Sequence, residues 1–190
     1  MSAKKPRNDR EISVYLSYLL RHDPGAASLD MDRHGWVDTA QLLTNLQTTY
    51  PLTLEQLRRI VETDSKGRYR FSEDGSRIKA CQGHSIPWVE PELTYGPPPA
   101  ILYHGTTQAA WEKIRASGRI DKMARHAVHM QADVEKAWQS ARRWHQEAVV
   151  LEIDAARMAR DGAVFGVSDN GVWCTERVDT AYITNVHRET

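Results

Sequence analysis

The sequence predicts an α+β chain in two parts, and three observations carry that reading. Apolar residues at helical spacing fill the N-terminal part and give way to a hairpin pattern. Short strand-like runs alternating with helical stretches fill the C-terminal part. Between them, four of the eight prolines fall within residues 91–99, Pro-Glu-Leu-Thr-Tyr-Gly-Pro-Pro-Pro. Such a segment is semi-rigid, extended and unable to join a helix or a central strand, so it reads as an interdomain linker.

In the first part, Ile12, Val14, Tyr15, Leu16, Tyr18, Leu19 and Leu20 bury one side of a helix over residues 9–22. Asp9 is its expected N-cap and Pro24 stops it. Helices follow at 39–46 and 53–62, the second capped by Thr53 with Gln56 at the capping-box position. His34-Gly35-Trp36-Val37-Asp38 reads as a short extended segment. Arg68-Tyr69-Arg70-Phe71 then turns through Glu73-Asp74-Gly75-Ser76 into Arg77-Ile78-Lys79-Ala80. Three helices followed by a hairpin make a winged-helix arrangement. The hairpin is basic: Lys66, Arg68, Arg70, Arg77 and Lys79 stand against Glu73 and Asp74.

In the second part, strand-like runs occur at Ile101-Leu102-Tyr103, Val149-Val150-Leu151-Glu152-Ile153, Gly171-Val172-Trp173-Cys174 and Ala181-Tyr182-Ile183. Residues 108–117 and 132–145 read as helices. Trp111, Trp138, Trp144 and Trp173 are expected to pack this domain, and Arg142-Arg143 to lie on a solvated helix face.

Composition narrows the function classes. The chain has 190 residues, 41% apolar and 26% charged, with zero formal net charge, so bulk electrostatics gives no argument for nucleic acid. No stretch approaches a membrane span, and Met1 to Arg10 lacks the apolar centre of a signal peptide, so the expected location is cytoplasmic. The two cysteines, Cys81 and Cys174, are expected to be reduced, buried thiols. Cys81 and His84 have half the spacing of a zinc site with no second pair to complete it, and no metal is expected.

Three local patterns carry chemistry. Arg21-His22, where a helix meets Pro24, sets a fixed cation beside a group that titrates near neutrality, a pair suited to phosphate. Leu102-Tyr103-His104-Gly105-Thr106 reads as a strand ending in histidine and glycine before a helix. Glycine there lets a flat ligand approach the backbone, with His104 and Thr106 supplying hydrogen bonds. Neither a G-x-G-x-x-G nor a G-x-x-x-x-G-K-[ST] loop occurs, which excludes the common routes to nucleotide binding.

Six motifs in order then resemble one family. They are Leu19-Leu20-Arg21-His22-Asp23-Pro24, Lys66-Gly67-Arg68-Tyr69, Arg77-Ile78-Lys79-Ala80-Cys81-Gln82-Gly83-His84-Ser85, Leu102-Tyr103-His104-Gly105-Thr106, Arg125 with Val128-His129-Met130, and Asn170-Gly171-Val172-Trp173-Cys174-Thr175. Together they resemble the RNA 2′-phosphotransferases over nearly the whole chain. The resemblance implies a winged-helix RNA- and phosphate-binding lobe at 1–90, the linker at 91–99, and an ADP-ribosyltransferase-like, NAD-binding lobe at 100–190.

It also implies an activity. An internal RNA 2′-phosphate, of the kind left by tRNA splicing, attacks the nicotinamide ribose of NAD and expels nicotinamide. The ribose 2″-hydroxyl then attacks that phosphate, giving 2′-hydroxyl RNA and ADP-ribose 1″,2″-cyclic phosphate. NAD is consumed, the RNA is tRNA-like, no membrane is involved, and the enzyme is expected to be a monomer. The family's essential set maps to Arg21, His22, Arg68 and Arg125, where guanidinium groups grip phosphate oxygens bidentately. His104, Gly105, Thr106 and His129 map to NAD contacts.

This chain departs from the family at Ala127, where a histidine is usual, and at Met130 and Cys174, where leucine is usual. Thr180-Ala181-Tyr182-Ile183 also lacks the glutamate that many ADP-ribosyltransferases carry there, which favours a phosphate nucleophile over a neutral one. Two other readings fit part of the sequence: an ADP-ribosyltransferase that caps nucleic-acid phosphate ends, and a non-catalytic winged-helix sensor of NAD or RNA.

Overall fold

A computed structural model describes residues 8–123 and 125–189. Of the Met1 to Arg10 stretch, residues 1–7 lie outside the described residues. The chain divides into two compact units, Met1–Glu92 and Leu93–Thr190.

In the first unit α1 spans Asp9–Arg21 and buries Ile12, Leu16, Leu19 and Leu20. Its N-cap is Asn8, not Asp9. The Asn8 side chain accepts from Glu11 N–H, and the Glu11 carboxylate accepts from Asn8 N–H. Asp9 pairs instead with Arg59, which holds its carboxyl below the usual range. After α1, Pro24–Ala27 form a 3-10 turn capped by Asp23.

β1 (Val37–Asp38), α2 (Thr39–Leu46), α3 (Leu54–Glu62), β2 (Tyr69–Phe71) and β3 (Arg77–Ala80) follow. The strands form an antiparallel sheet in the order β1–β3–β2. Asp38 caps α2 and Thr53 caps α3 through their side chains. Leu42, Leu46, Leu57, Ile60, Tyr69 and Ile78 complete the core around α1.

The second unit begins with β4 (Thr94–Tyr95), so the proline-rich stretch contributes a short edge strand. β5 spans Ile101–Thr107, α4 Gln108–Ser117, β6 Arg119–Asp121, β7 Val128–Met130, α5 Val134–Arg142 and β8 Ala148–Asp154. They are followed by α6 (Ala155–Arg160), β9 (Gly166–Val167), β10 (Trp173–Thr175), β11 (Arg177–Asp179) and β12 (Ile183–Arg188). The antiparallel sheets run β12–β8–β5, β4–β9–β10–β7 and β11–β6. A paired bridge between Tyr103 and Gln131 ties the end of β7 to β5.

Four expectations change here. β5 continues through His104, Gly105 and Thr106 to Thr107, in register with β8, before Thr107 caps α4. The short apolar run gave no sign of where the strand ended. α5 is shorter than residues 132–145 because Asp133 caps it and its last bonds tighten to i→i−3, with His145 at φ 51°. Ala181-Tyr182 lie in a 3-10 turn, Thr180–Tyr182, and the strand begins at Ile183. Trp111 and Trp138 are buried as expected, but Trp144 is 55% exposed.

Candidate functional site

The burial of Leu16, Leu19 and Leu20 fixes the rotation of α1 and so decides where its last residues emerge. His22 is the C-cap, its N–H bonded to Tyr18 O at 2.9 Å, and Pro24 forbids another turn. The segment after β3 is laced to this end. Ser85 N–H donates to Arg21 O at 2.9 Å, and Ser85 Oγ is 2.8 Å from His22 Nδ1. The imidazole is therefore oriented by a hydroxyl, while the Arg21 side chain is half-buried beside it in sequence.

Arg68 stands just before β2. Asp64, four residues earlier, accepts from Arg68 N–H at 2.5 Å and also pairs with its guanidinium. The Asp64 side chain is 5% exposed, so this is a held cation. His22 and Arg68 line one groove of about 590 Å³ along α1 and α3, whereas Arg21 is not part of its lining.

The basic hairpin has a different fate from the one its charge suggested. Arg70, Arg77 and Lys79 surround the Trp36 ring, each with its charge within about 5 Å of the ring centroid. Glu92 accepts from the buried Lys79 ammonium and lies 3.8 Å from Arg70, and Asp32 pairs with Arg77 at 3.3 Å. The Lys79 contact, first of all, holds the Glu92 carboxyl below its ordinary range. Three cations thus meet two carboxylates, with the Lys79 ammonium buried and Arg70 and Arg77 about half exposed at the surface.

In the second unit His104 lies on β5, and its Nδ1 donates to the His129 carbonyl on β7 at 2.9 Å. A carbonyl only accepts, so in the neutral ring Nδ1 carries the proton and Nε2 keeps its lone pair. His104 retains some surface, yet desolvation of its ring is the largest effect on its pKa and drives it down. The charges of Arg143 and Arg125 add to that, and the His129 hydrogen bond opposes it.

Arg125, before β7, places Nη1 3.4 Å from His129 Nδ1. Arg143, the C-cap residue of α5, lies over the Trp144 ring at 5.0 Å. Its own pKa is lowered by desolvation and then by the like charge of Arg125. Arg142 and Arg143 are exposed at the helix end, as expected, and a cation at such a position looks like any other. The signal of Arg143 is proximity to Arg125, which sequence spacing does not reveal.

Gly105 has a structural reason that the sequence argument did not supply. A Cβ there would sit 1.9 Å from Ala137 O and 3.1 Å from Ala141 N, so the glycine lets α5 pack directly on β5. Side chains alternate along a strand, so His104 and Thr106 share the opposite face. The face of β5 at Gly105 is therefore filled by helix backbone. Thr106 is buried on its own face.

Cys81 and Cys174 are buried and not joined in a disulfide, as expected, and burial pushes the Cys174 thiol up to about 12. Among the described residues no group of three His, Cys, Asp or Glu side chains is placed to hold a metal ion. Among the same residues no helix is long and apolar enough to cross a membrane.

Comparison with known proteins bears on the whole of this arrangement. Residues 7–177 match the family described as RNA 2'-phosphotransferase, Tpt1 / KptA family. A relative from Rhizobium leguminosarum bv. trifolii, called "Probable RNA 2'-phosphotransferase", is 44% identical over 176 residues, covering 93% of this chain and 94% of that protein. A protein of the same description from Fusobacterium nucleatum subsp. nucleatum is 40% identical over 177 residues, covering 93% of this chain and 98% of its own length. A solved structure, protein CC0527 from Caulobacter crescentus, is 19% identical with a TM-score of 0.37 over 46% of this chain and 84% of that one, and carries no argument about fold or function. With a family match across both units and relatives at this identity over nearly their full lengths, the chain belongs to the RNA 2′-phosphotransferase, Tpt1/KptA family of transferases.

Proposed function

We propose that the chain is an NAD-dependent RNA 2′-phosphotransferase. It moves an internal 2′-phosphate from a tRNA-like RNA to ADP-ribose, giving 2′-hydroxyl RNA, ADP-ribose 1″,2″-cyclic phosphate and nicotinamide. The proposed organisation is a winged-helix, RNA- and phosphate-binding lobe at 1–90, a linker at 91–99 and an ADP-ribosyltransferase-like lobe at 100–190. The order of α1, β1, α2, α3, β2 and β3, with their antiparallel sheet, supports the first assignment. The proposed setting is a cytoplasmic monomer acting in tRNA processing.

The observation that carries this reading is the family match over residues 7–177 together with His22 and Arg68 both lining one groove. In the proposal Arg21, His22, Arg68 and Arg125 hold the phosphate. Permanently charged guanidinium groups stabilise its negative charge as the geometry at phosphorus changes, which makes a metal unnecessary. His22, the one member of the set able to give up a proton, donates it to the departing RNA 2′-oxygen.

NAD supplies an electrophilic ribose carbon when bound. His104, Gly105, Thr106 and His129 are assigned to hold it, and the groups present suit a phosphate-bearing dinucleotide. His104 Nε2 is left as an acceptor for a ribose hydroxyl, and Arg125 and Arg143 form a cationic pair for a phosphate. The contribution of Gly105 comes through its backbone, since α5 covers the side where a side chain would stand.

Incubation with NAD and an oligonucleotide carrying one internal 2′-phosphate tests the proposal. Loss of the phosphate from RNA with stoichiometric nicotinamide release is the expected result. A stable ADP-ribosylated RNA would make the chain a capping enzyme, and binding without turnover would make it a sensor.

A further inference from the structure

Two large apolar side chains that the fold leaves in solvent stand on one stripe of α1. Val14 is 67% exposed and Tyr18 43% exposed. With His22 they follow the i, i+4, i+8 spacing that places side chains along one helix face. All three line the groove of about 590 Å³ that also contains Arg68. That volume lies within the range of small-molecule sites and has room for a nucleotide.

The lining chemistry changes along the groove. The carboxylates of Asp9 and Asp64 are met by Arg59 and Arg68, which leaves neither uncompensated. One turn of α1 before His22 the groove is lined by an aromatic ring held in place. Tyr18 Oη donates to Asp23 Oδ2 at 2.8 Å, and its ring stacks on Tyr15, which stacks on Tyr50. A fixed, exposed ring with an aliphatic neighbour suits a flat group with apolar faces, and single-stranded RNA is recognised by laying such bases on aromatic side chains. A phosphate would gain nothing from Tyr18 or Val14.

We propose that this groove is a nucleobase pocket, in which the base of a nucleotide adjoining the RNA 2′-phosphate leaves its stack and lies against Tyr18 and Val14. This rests on the reading of His22 and Arg68 as phosphate-holding residues. The 2′-phosphate is thereby presented from an unstacked nucleotide, which distinguishes a junction in a flexible loop from one inside a duplex.

The test uses the full chain without NAD and 2′-phosphorylated oligonucleotides carrying 2-aminopurine on one or the other side of the phosphate. Binding to the wild type is expected to quench the fluorophore on one side. Tyr18→Ala is expected to abolish the quench and weaken RNA binding roughly 5- to 150-fold, the span found for loss of one base–aromatic stack. Tyr18→Phe, which keeps the ring, restores both. An oligonucleotide abasic at that position is expected to bind the wild type and Tyr18→Ala equally, and in a separate turnover assay with NAD the KM for NAD stays the same in all three proteins.

If the wild type binds the phosphorylated RNA but neither fluorophore is quenched, the pocket assignment is overturned and the phosphate reading stands. The same holds if Tyr18→Ala, with an unchanged circular dichroism spectrum, binds as tightly as the wild type. If the wild type does not distinguish phosphorylated from unphosphorylated RNA, both readings fall together.

Discussion

The candidate residues of the two units are held by opposite electrostatic arrangements. Arg68 is gripped by the nearly buried Asp64, and His22 is steered by a serine hydroxyl. In the second unit the charges of Arg143 and Arg125 both disfavour protonation of His104, and among the described residues neither arginine has a carboxylate within ion-pair distance. A paired cation has its orientation fixed before any ligand arrives. Like charges crowded without a counterion raise the energy of the empty state, and an arriving anion relieves it. In the proposed site the first arrangement would serve placement and the second affinity for an anion.

The sharpest way to break that comparison is to remove one cation from each unit. Arg68→Ala and Arg125→Ala are both expected to lower turnover at least about a hundredfold, the scale of losing one charged transition-state contact. Their stabilities are expected to diverge. Arg68→Ala strands Asp64 in a nearly buried site, a loss of about 1–3 kcal/mol. Arg125→Ala removes repulsion and keeps or raises Tm. Equal stability losses in a denaturation series would show that the two sites are not built differently.

The next effect is read in packing. Gly105→Ala forces a methyl group toward the Ala137 carbonyl, so β5 and α5 must separate, and a cost of about 1–3 kcal/mol is expected in thermal or urea unfolding. An unchanged Tm would mean that the helix is not seated on the strand as described.

The smallest effect sharpens the electrostatic side. His104 is held below the ordinary imidazole value of 6.5, so the unfolded chain takes up its proton first as pH falls. The stability contributed by the neutral ring is full above about 6.5 and is lost as pH falls through the lower folded value. Arg143→Ala is expected to raise the His104 pKa without restoring it to 6.5, because burial is the larger cause. A proton NMR titration of the ring reads this directly, and no shift in Arg143→Ala would remove Arg143 from the cluster.

Sequence made some features plain and hid others for physical reasons. The hairpin, the ends of α2 and the Thr53 cap of α3 are local events, written in turn residues and capping side chains a few positions apart. The pairing of Arg68 with Asp64 was similarly within reach, since it spans four residues. The ion pairs of the basic hairpin were not, because Glu92 and Asp32 are brought to it only by folding. Likewise the order of motifs pointed to Gly105 and Arg125, but the reason for the glycine is a helix more than thirty residues away, and Arg143 joins Arg125 only in three dimensions.

The contact at Gly105 also has a mechanical consequence. Strand and helix meet there backbone to backbone, with no side chain between them to rotate or compress. A displacement of α5 is therefore passed to β5 undamped, and the two elements behave as one stiff bar at that point. His104 sits next to the joint on the strand and Arg143 one short step beyond it on the helix. The separation of their backbones is thus set by the main-chain contact at Gly105.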